Sequence, residues 1–215
     1  MTTLTIYGVP LSNYVRTVRM ALEEKGIAYE LKPCPPGFEE EKARHPFGKI
    51  PFMRYGDFIL AESIAIIRFV ERTFPGPALW PTDAKQAAIC DQWVSAISDS
   101  VHRICGVGIS FPRLAAPVLG LPVDEAEVAA ASARLPHCLT ELERPLTAAP
   151  YLAGDAMTVA DLYLLPMIHY LALTPEGAAV LPGFPRLLAW QERMNARASV
   201  KATLSPSFDS LRSAA

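Results

Sequence analysis

Up to Pro77 the chain alternates short β-prone runs with helical ones in an order that few folds accommodate. LTIY, residues 4–7, stops at Gly8, and Val15–Glu24 then repeats its apolar residues at helical spacing until Gly26. AYEL at 28–31 reads as a second strand, after which Pro33, Pro35, Pro36 and Gly37 break regularity and FEEEKARH leaves room for a short helix only. Two apolar runs, 51–54 and 58–61, flank Tyr55, Gly56 and Asp57 as the arms of a hairpin flank its turn. Ile64–Phe74 is a helix that places Ile64, Ile67, Phe69 and Val70 on one stripe and ends at Pro75-Gly76-Pro77. The predicted order is βαβαββα.

Beyond Pro81 no strand pattern recurs. Helices are predicted over Asp83–Cys105, over Asp124–Ala148 with a kink at Pro136, over Thr158–Leu173 and over Phe184–Ala198. GVGISFPRLAAPVLGLP, residues 106–122, reads as an irregular connection or one broken helical turn, and its GxG follows no strand as a phosphate loop would. The expected organisation is an α/β domain over 1–76, a linker over 77–84 and an all-helical domain over 85–215. Thr158 and Asp161 stand at capping-box spacing with Met157 and Leu162 as a staple. A structural role follows, with loss of the Asp161 cap expected to cost about 1 kcal/mol.

Composition excludes several classes of function. A chain of 215 residues that is 51% hydrophobic and 20% charged builds a packed core. Its net charge of -2 supplies neither a basic face for nucleic acid nor a polybasic membrane patch. No signal-peptide profile opens the chain and no apolar run reaches the roughly 18 residues of a membrane span, so a cytoplasmic location is expected. The four cysteines, Cys34, Cys90, Cys105 and Cys138, are widely spaced and read as reduced thiols. His102 with Cys105, and His137 with Cys138, lack the second close pair that a tetrahedral metal site requires, so no metal is expected.

PLSNYVRTV, residues 10–18, raises the chemical question. Ser12 at a helix entrance is a favoured N-cap, and the same entrance, with its free N–H groups and positive dipole end, is a place to hold an anion. Both readings stand on these residues alone.

Four segments together carry a resemblance: YGVPLSNYVRTVRMALEEKG at 7–26, HPFGKIPFM at 45–53, LAESIAIIRFV at 60–70 and YLAGDAMTVADLYLLP at 151–166. Over essentially its whole length the chain resembles a bacterial, serine-type cytosolic glutathione transferase of theta-, phi- or tau-like kind. The resemblance implies a thioredoxin-like N-terminal domain followed by the family's helical domain. It implies glutathione as co-substrate, a small hydrophobic electrophile as its partner in detoxification, and a homodimer. Carried onto this chain, it gives Ser12 as the hydroxyl that stabilises the thiolate, Tyr7 as second choice and Asn13 as a modifier where related chains have proline. Arg16, one turn into the helix from Ser12, reads either as a source of positive potential at the sulfur or as a surface arginine.

The resemblance also makes Ile50-Pro51 a cis peptide whose Ile50 backbone pairs with the cysteinyl part of glutathione. Ser63, at the join of the hairpin and the helix, is expected to cap that helix. Lys49 would meet the glycyl carboxylate, Ser63 the γ-glutamyl carboxylate and Glu62 the γ-glutamyl ammonium. Leu11, Trp93, Ile97, Ile104, Phe111 and Phe208 are the candidates for the electrophile site. The absence of cysteine from 11–14 argues against classes that form a mixed disulfide. A glutathione-dependent thiol-disulfide or peroxide reductase, or a non-catalytic ligand carrier or adaptor of the same fold, are the alternatives.

Overall fold

The computed structural model describes residues 3–34 and 45–208. Packing separates the chain into two compact units, Met1–Leu79 with Arg197–Pro206, and Trp80–Ala196 with Ser207–Ala215.

The first unit holds β1 (Leu4–Tyr7), α1 (Asn13–Glu24), β2 (Tyr29–Lys32), β3 (Phe52–Tyr55), β4 (Phe58–Ala61) and α2 (Ser63–Thr73). The sheet order is β2-β1-β3-β4, with β1 parallel to β2 and antiparallel to β3, and β3 antiparallel to β4. β1 is central because all four of its residues are apolar enough or small enough to be buried. β3 starts one residue later than expected, since Pro51 has no N–H for the ladder. β2 is likewise shifted by one residue, to 29–32. The hairpin turn is Gly56-Asp57, with Gly56 at φ 62. The short helix expected in FEEEKARH lies, apart from His45, outside the described residues.

α1 starts at Asn13 rather than Val15, because Ser12 caps it, and it buries Val15, Val18, Met20, Ala21 and Leu22. Beyond its end, buried Lys25 donates to Glu71 at 2.9 Å and to the Pro77 carbonyl at 3.2 Å, while Glu71 accepts from the Leu79 N–H at 3.0 Å. That clamp fixes the exit of the unit.

The second unit contains α3 (Ala84–Ala96), α5 (Glu125–Leu146), α6 (Val159–Leu171), α7 (Pro175–Val180) and α8 (Pro185–Asn195). α3 runs without a break into Ile97–Ala115, wound with the wider π-type turn and labelled α4 here. The irregular connection expected from Gly106 is therefore corrected: 106–115 is helical. Its glycines serve packing instead, for a Cβ on Gly108 would lie 2.5 Å from that of Ala131 on α5. α5 continues through Pro136 to Leu146, and Arg113 ties α4 to Glu125 and Glu176, each at 2.7 Å. α6 is buried along nearly its whole length, and the Thr158–Asp161 capping box closes as expected.

The C-terminal boundary also departs from expectation. α9 (Ala198–Ala202) belongs to the first unit, where Arg197 forms a bidentate pair with Glu24 of α1 at 2.7 and 2.6 Å and Ser199 donates to the same carboxylate. These partners are 173 residues apart in sequence, a pairing no local pattern announces.

Candidate active site

Strand register gathers the site. Tyr7, the last residue of β1, is opposite Phe52, the first of β3, and Phe52 is opposite Ala61, the last of β4. The exit of β1, the entry to β3 and the exit of β4 therefore share one end of the sheet. Onto that end open 8–12, 45–51 and 62–63, so Ser12, Ile50 and Ser63 converge although each lies in a different segment.

At the first opening Gly8 has φ 149, and a Cβ there would stand 2.4 Å from Val15 Cγ2. Only glycine allows the chain to turn this tightly against α1. Ser12 then caps the helix, its Oγ accepting from the Val15 N–H over a long 3.4 Å. That bond uses the oxygen as acceptor and leaves the hydroxyl proton for a ligand. Asn13 follows at the first helical position, and its Oδ1 is buried with no hydrogen-bond partner among the described residues. Arg16, one turn on, is fully buried, not a surface side chain. Tyr7 stacks on Phe52 with ring centroids 4.5 Å apart and planes 8° apart, which holds its ring against the sheet end. From 195 residues away, Ser205 donates to the Pro10 carbonyl at 2.9 Å and pins the loop ahead of Ser12.

At the second opening Ile50-Pro51 is cis, as the resemblance implies. Lys49 is exposed, Ile50 half-buried and Pro51 buried. At the third, Glu62 rather than Ser63 occupies the N-cap position of α2. The expected Ser63 cap is thus corrected: Ser63 is the first helical residue of α2 and is buried. Glu62 has φ 71, the only non-glycine residue in the left-handed region among the described residues. A strained backbone at a prospective ligand site is a common functional signature.

His45 was not weighed in the sequence, although it opens HPFGKIP. It is buried beside Glu62, its Nε2 3.6 Å from the Glu62 Oε1.

The apolar candidates divide. Leu11, Ile97 and Ile104 are buried, Trp93 is half-buried, Phe111 is exposed, and half-buried Phe208 packs edge-on against Tyr170. A cavity of about 410 Å³ lies between α4 and α5, lined by Phe111, Val107 and Ala131 among others, and includes none of the residues around Ser12. Among the described residues no three His, Cys, Asp or Glu side chains gather as a metal site, and none of the four cysteines is in a disulfide.

Comparison with known proteins places the chain among its relatives. Residues 6–78 match the family described as glutathione S-transferase, N-terminal domain, and 119–206 match glutathione S-transferase, C-terminal domain. A probable glutathione S-transferase GSTF2 of Oryza sativa subsp. japonica is 35% identical over 205 residues, spanning 93% of this chain and 94% of that protein. The crystal structure of glutathione transferase F7 from Populus trichocarpa superposes with a TM-score of 0.85 at 31% identity, covering 94% of this chain and 97% of that one. A glutathione S-transferase-I bound with lactoylglutathione superposes at 0.83 with 30% identity, covering 94% and 98%.

Proposed function

The chain belongs to the glutathione S-transferase family and is a transferase that conjugates glutathione; from that premise we propose that Ser12 stabilises the glutathione thiolate at the N-terminus of α1. The supporting observation is the Ser12 hydroxyl, which receives a helix N–H and keeps its own proton for an anion.

The energetics suffice. A free thiol with pKa ≈ 8.5 is about 3% thiolate near neutrality, and the thiolate is the nucleophile. Lowering the pKa by about two units needs roughly 2.7 kcal/mol. One hydrogen bond to a charged acceptor contributes about 1.5 to 3 kcal/mol, and a helix N-terminus adds about 0.3 to 1 kcal/mol. Buried Arg16 adds positive potential on the same helix. The serine does not act as a base; the thiol proton leaves to solvent. The thiolate sulfur then forms a bond to carbon while a leaving group departs with its electron pair, or adds to a conjugated acceptor that takes up a proton.

Glutathione fits the three openings. The γ-glutamyl carboxylate meets the positive dipole end of α2 and the hydroxyl of Ser63, and Glu62 answers the ammonium beside it. The backbone of Ile50, turned at Pro51, pairs with the cysteinyl unit as an added strand would. Lys49 faces the glycyl carboxylate. Asn13 Oδ1 offers its free lone pairs to the thiol-bearing residue, and Tyr7 remains the second candidate for the sulfur.

The second substrate is a small apolar electrophile. Half-buried Trp93 and exposed Phe111 are better placed to contact it than Ile97 and Ile104, whose side chains are committed to the core of the helical unit. A homodimer is proposed on family membership, with Phe47, 74% exposed two residues ahead of Lys49, as one residue that a second copy of this chain would cover. For location we propose the cytoplasm; no single helix among the described residues is long and apolar enough to cross a membrane.

Ultraviolet difference titration of bound glutathione tests the central claim. The parent is expected to show thiolate well below pH 8.5, Ser12→Ala to lose that shift and Tyr7→Phe to keep it. A shift that survives Ser12→Ala refutes the assignment.

A further inference from the structure

Resting on the glutathione reading above, we propose that His45 is a positioning residue that holds Glu62 ready for the ammonium group of the substrate. The side chain of His45 is 2% exposed and that of Glu62 61% exposed. His45 Nδ1 accepts the Phe47 N–H at 3.1 Å, and its carbonyl accepts the Gly48 N–H at 3.0 Å. A neutral imidazole whose Nδ1 is an acceptor carries its proton on Nε2. That N–H is the ring atom facing Glu62 Oε1, 3.6 Å away. The separation is that of an oriented dipole beside a carboxylate rather than a full hydrogen bond.

The need for such a partner comes from Glu62 itself. Its backbone, at φ 71 and ψ 119, persists only where its surroundings impose it. Its side chain is mostly in water and would otherwise sample several rotamers, each of which must be given up when a ligand binds. A buried ring that cannot move restricts the carboxylate before the ligand arrives, which is how preorganisation raises affinity. Because the other nitrogen of the same ring fixes the turn at Phe47, His45 joins the segment bearing Lys49 and Ile50 to the segment bearing Glu62.

The test separates ammonium recognition from general folding. Isothermal titration compares glutathione with its des-amino analogue, in which a glutaryl group replaces γ-glutamyl. H45N keeps an acceptor near the position of Nδ1 but cannot reach Glu62; H45Q presents an amide N–H in place of Nε2. H45N and E62Q are each expected to weaken glutathione about fivefold, the scale of one partly exposed charge contact, and to leave the analogue within about twofold. The double variant is expected to be no weaker than E62Q alone, H45Q to retain discrimination, and H45N to raise KM for glutathione with little change in kcat.

Equal loss for both ligands in H45N assigns His45 to folding and overturns the inference, as does no loss for either, or simple additivity. If H45N does not fold, the result rests on H45Q, where loss of discrimination overturns it. A parent that binds glutathione as thiolate while these variants fail to discriminate refutes His45 alone. A parent that does not bind glutathione refutes the site reading and this inference with it.

Discussion

Removing the Asp161 carboxylate is expected to cost far more than a helix cap. The side chain is completely buried. Its Oδ2 accepts the Thr158 N–H at 2.9 Å and the Thr158 hydroxyl at 3.2 Å, and its Oδ1 accepts the Leu152 N–H at 3.1 Å and the Trp190 indole N–H at 2.9 Å. Thus one carboxylate joins the loop at Leu152, the start of α6 and the middle of α8. Asp161→Ala strands three N–H donors; the Thr158 hydroxyl turns to another acceptor. At about 1 to 3 kcal/mol for each buried unsatisfied group, partly offset by water entering the vacated volume, the expected loss is about 3 to 6 kcal/mol. That is comparable with the whole stability of many domains. Asp161→Asn with its oxygen toward Leu152 and Trp190 keeps two bonds and loses the Thr158 N–H, so about 1.5 to 3 kcal/mol is expected. Urea unfolding at pH 7, followed by tryptophan fluorescence at constant m, measures both. A loss for Asp161→Ala of only about 1 kcal/mol, the size of a simple cap, refutes the claim that the network acts as a unit.

Three further outcomes are expected. Gly8→Ala places a methyl 2.4 Å from Val15 Cγ2 and 3.3 Å from Ile50 Cβ; a loss of about 1 to 3 kcal/mol in stability, with weaker glutathione binding, is read by thermal melting and titration. Burial pushes the Glu24 carboxyl up, but the Arg197 and Ser199 bonds outweigh it and hold the folded-state pKa below the ordinary value. Glu24 then stabilises above its unfolded pKa of about 4.3 and ceases to do so as pH falls through the lower folded value. Melting temperature measured from pH 6 to pH 3 should therefore fall more steeply for the parent than for Glu24→Gln, and parallel curves refute the linkage. Lys49→Ala should raise the glutathione Kd no more than about fivefold, because the lysine is exposed and screened; a hundredfold loss overturns that assignment of charge.

Local chemistry made much of this molecule legible before any coordinates. LTIY, the Gly56 hairpin and the Thr158–Asp161 box announce themselves because the deciding contacts lie within a few residues. The segment from Gly106 is helical against its local pattern for a physical reason. Glycine and proline weaken a helix by propensity, yet tertiary approach to Ala131 selects glycine at that crossing and overrides the preference. Serine favours the cap position, yet Glu62 adopts φ 71 there and Ser63 becomes the first helical residue. Ser205, Arg197 and the fourfold role of Asp161 depend on partners distant in sequence and have no local signature. His45 did have one, a single imidazole at the head of HPFGKIP, but a lone histidine gains meaning only when its two nitrogens are seen to face different segments.

On the proposed placement of glutathione, the charge of the ligand accounts for the form of the sheet end. Bound as thiolate, glutathione carries two carboxylates and a sulfur anion against one ammonium, while the side chains at the openings supply exposed Lys49 and buried Arg16, with Glu62 opposing them. Side-chain cations alone therefore answer little of the negative charge. The balance comes from two helix starts, α1 after β1 and α2 after β4, each equivalent to about half a positive charge and each aimed from a rigid sheet. Such dipoles need no rotamer to be ordered and do not reorganise as charge develops on sulfur, which makes them more effective than a mobile lysine of equal formal charge. The same reasoning accounts for the strict backbone at this end: a glycine-dependent turn before one helix and a left-handed residue before the other aim the two helix dipoles.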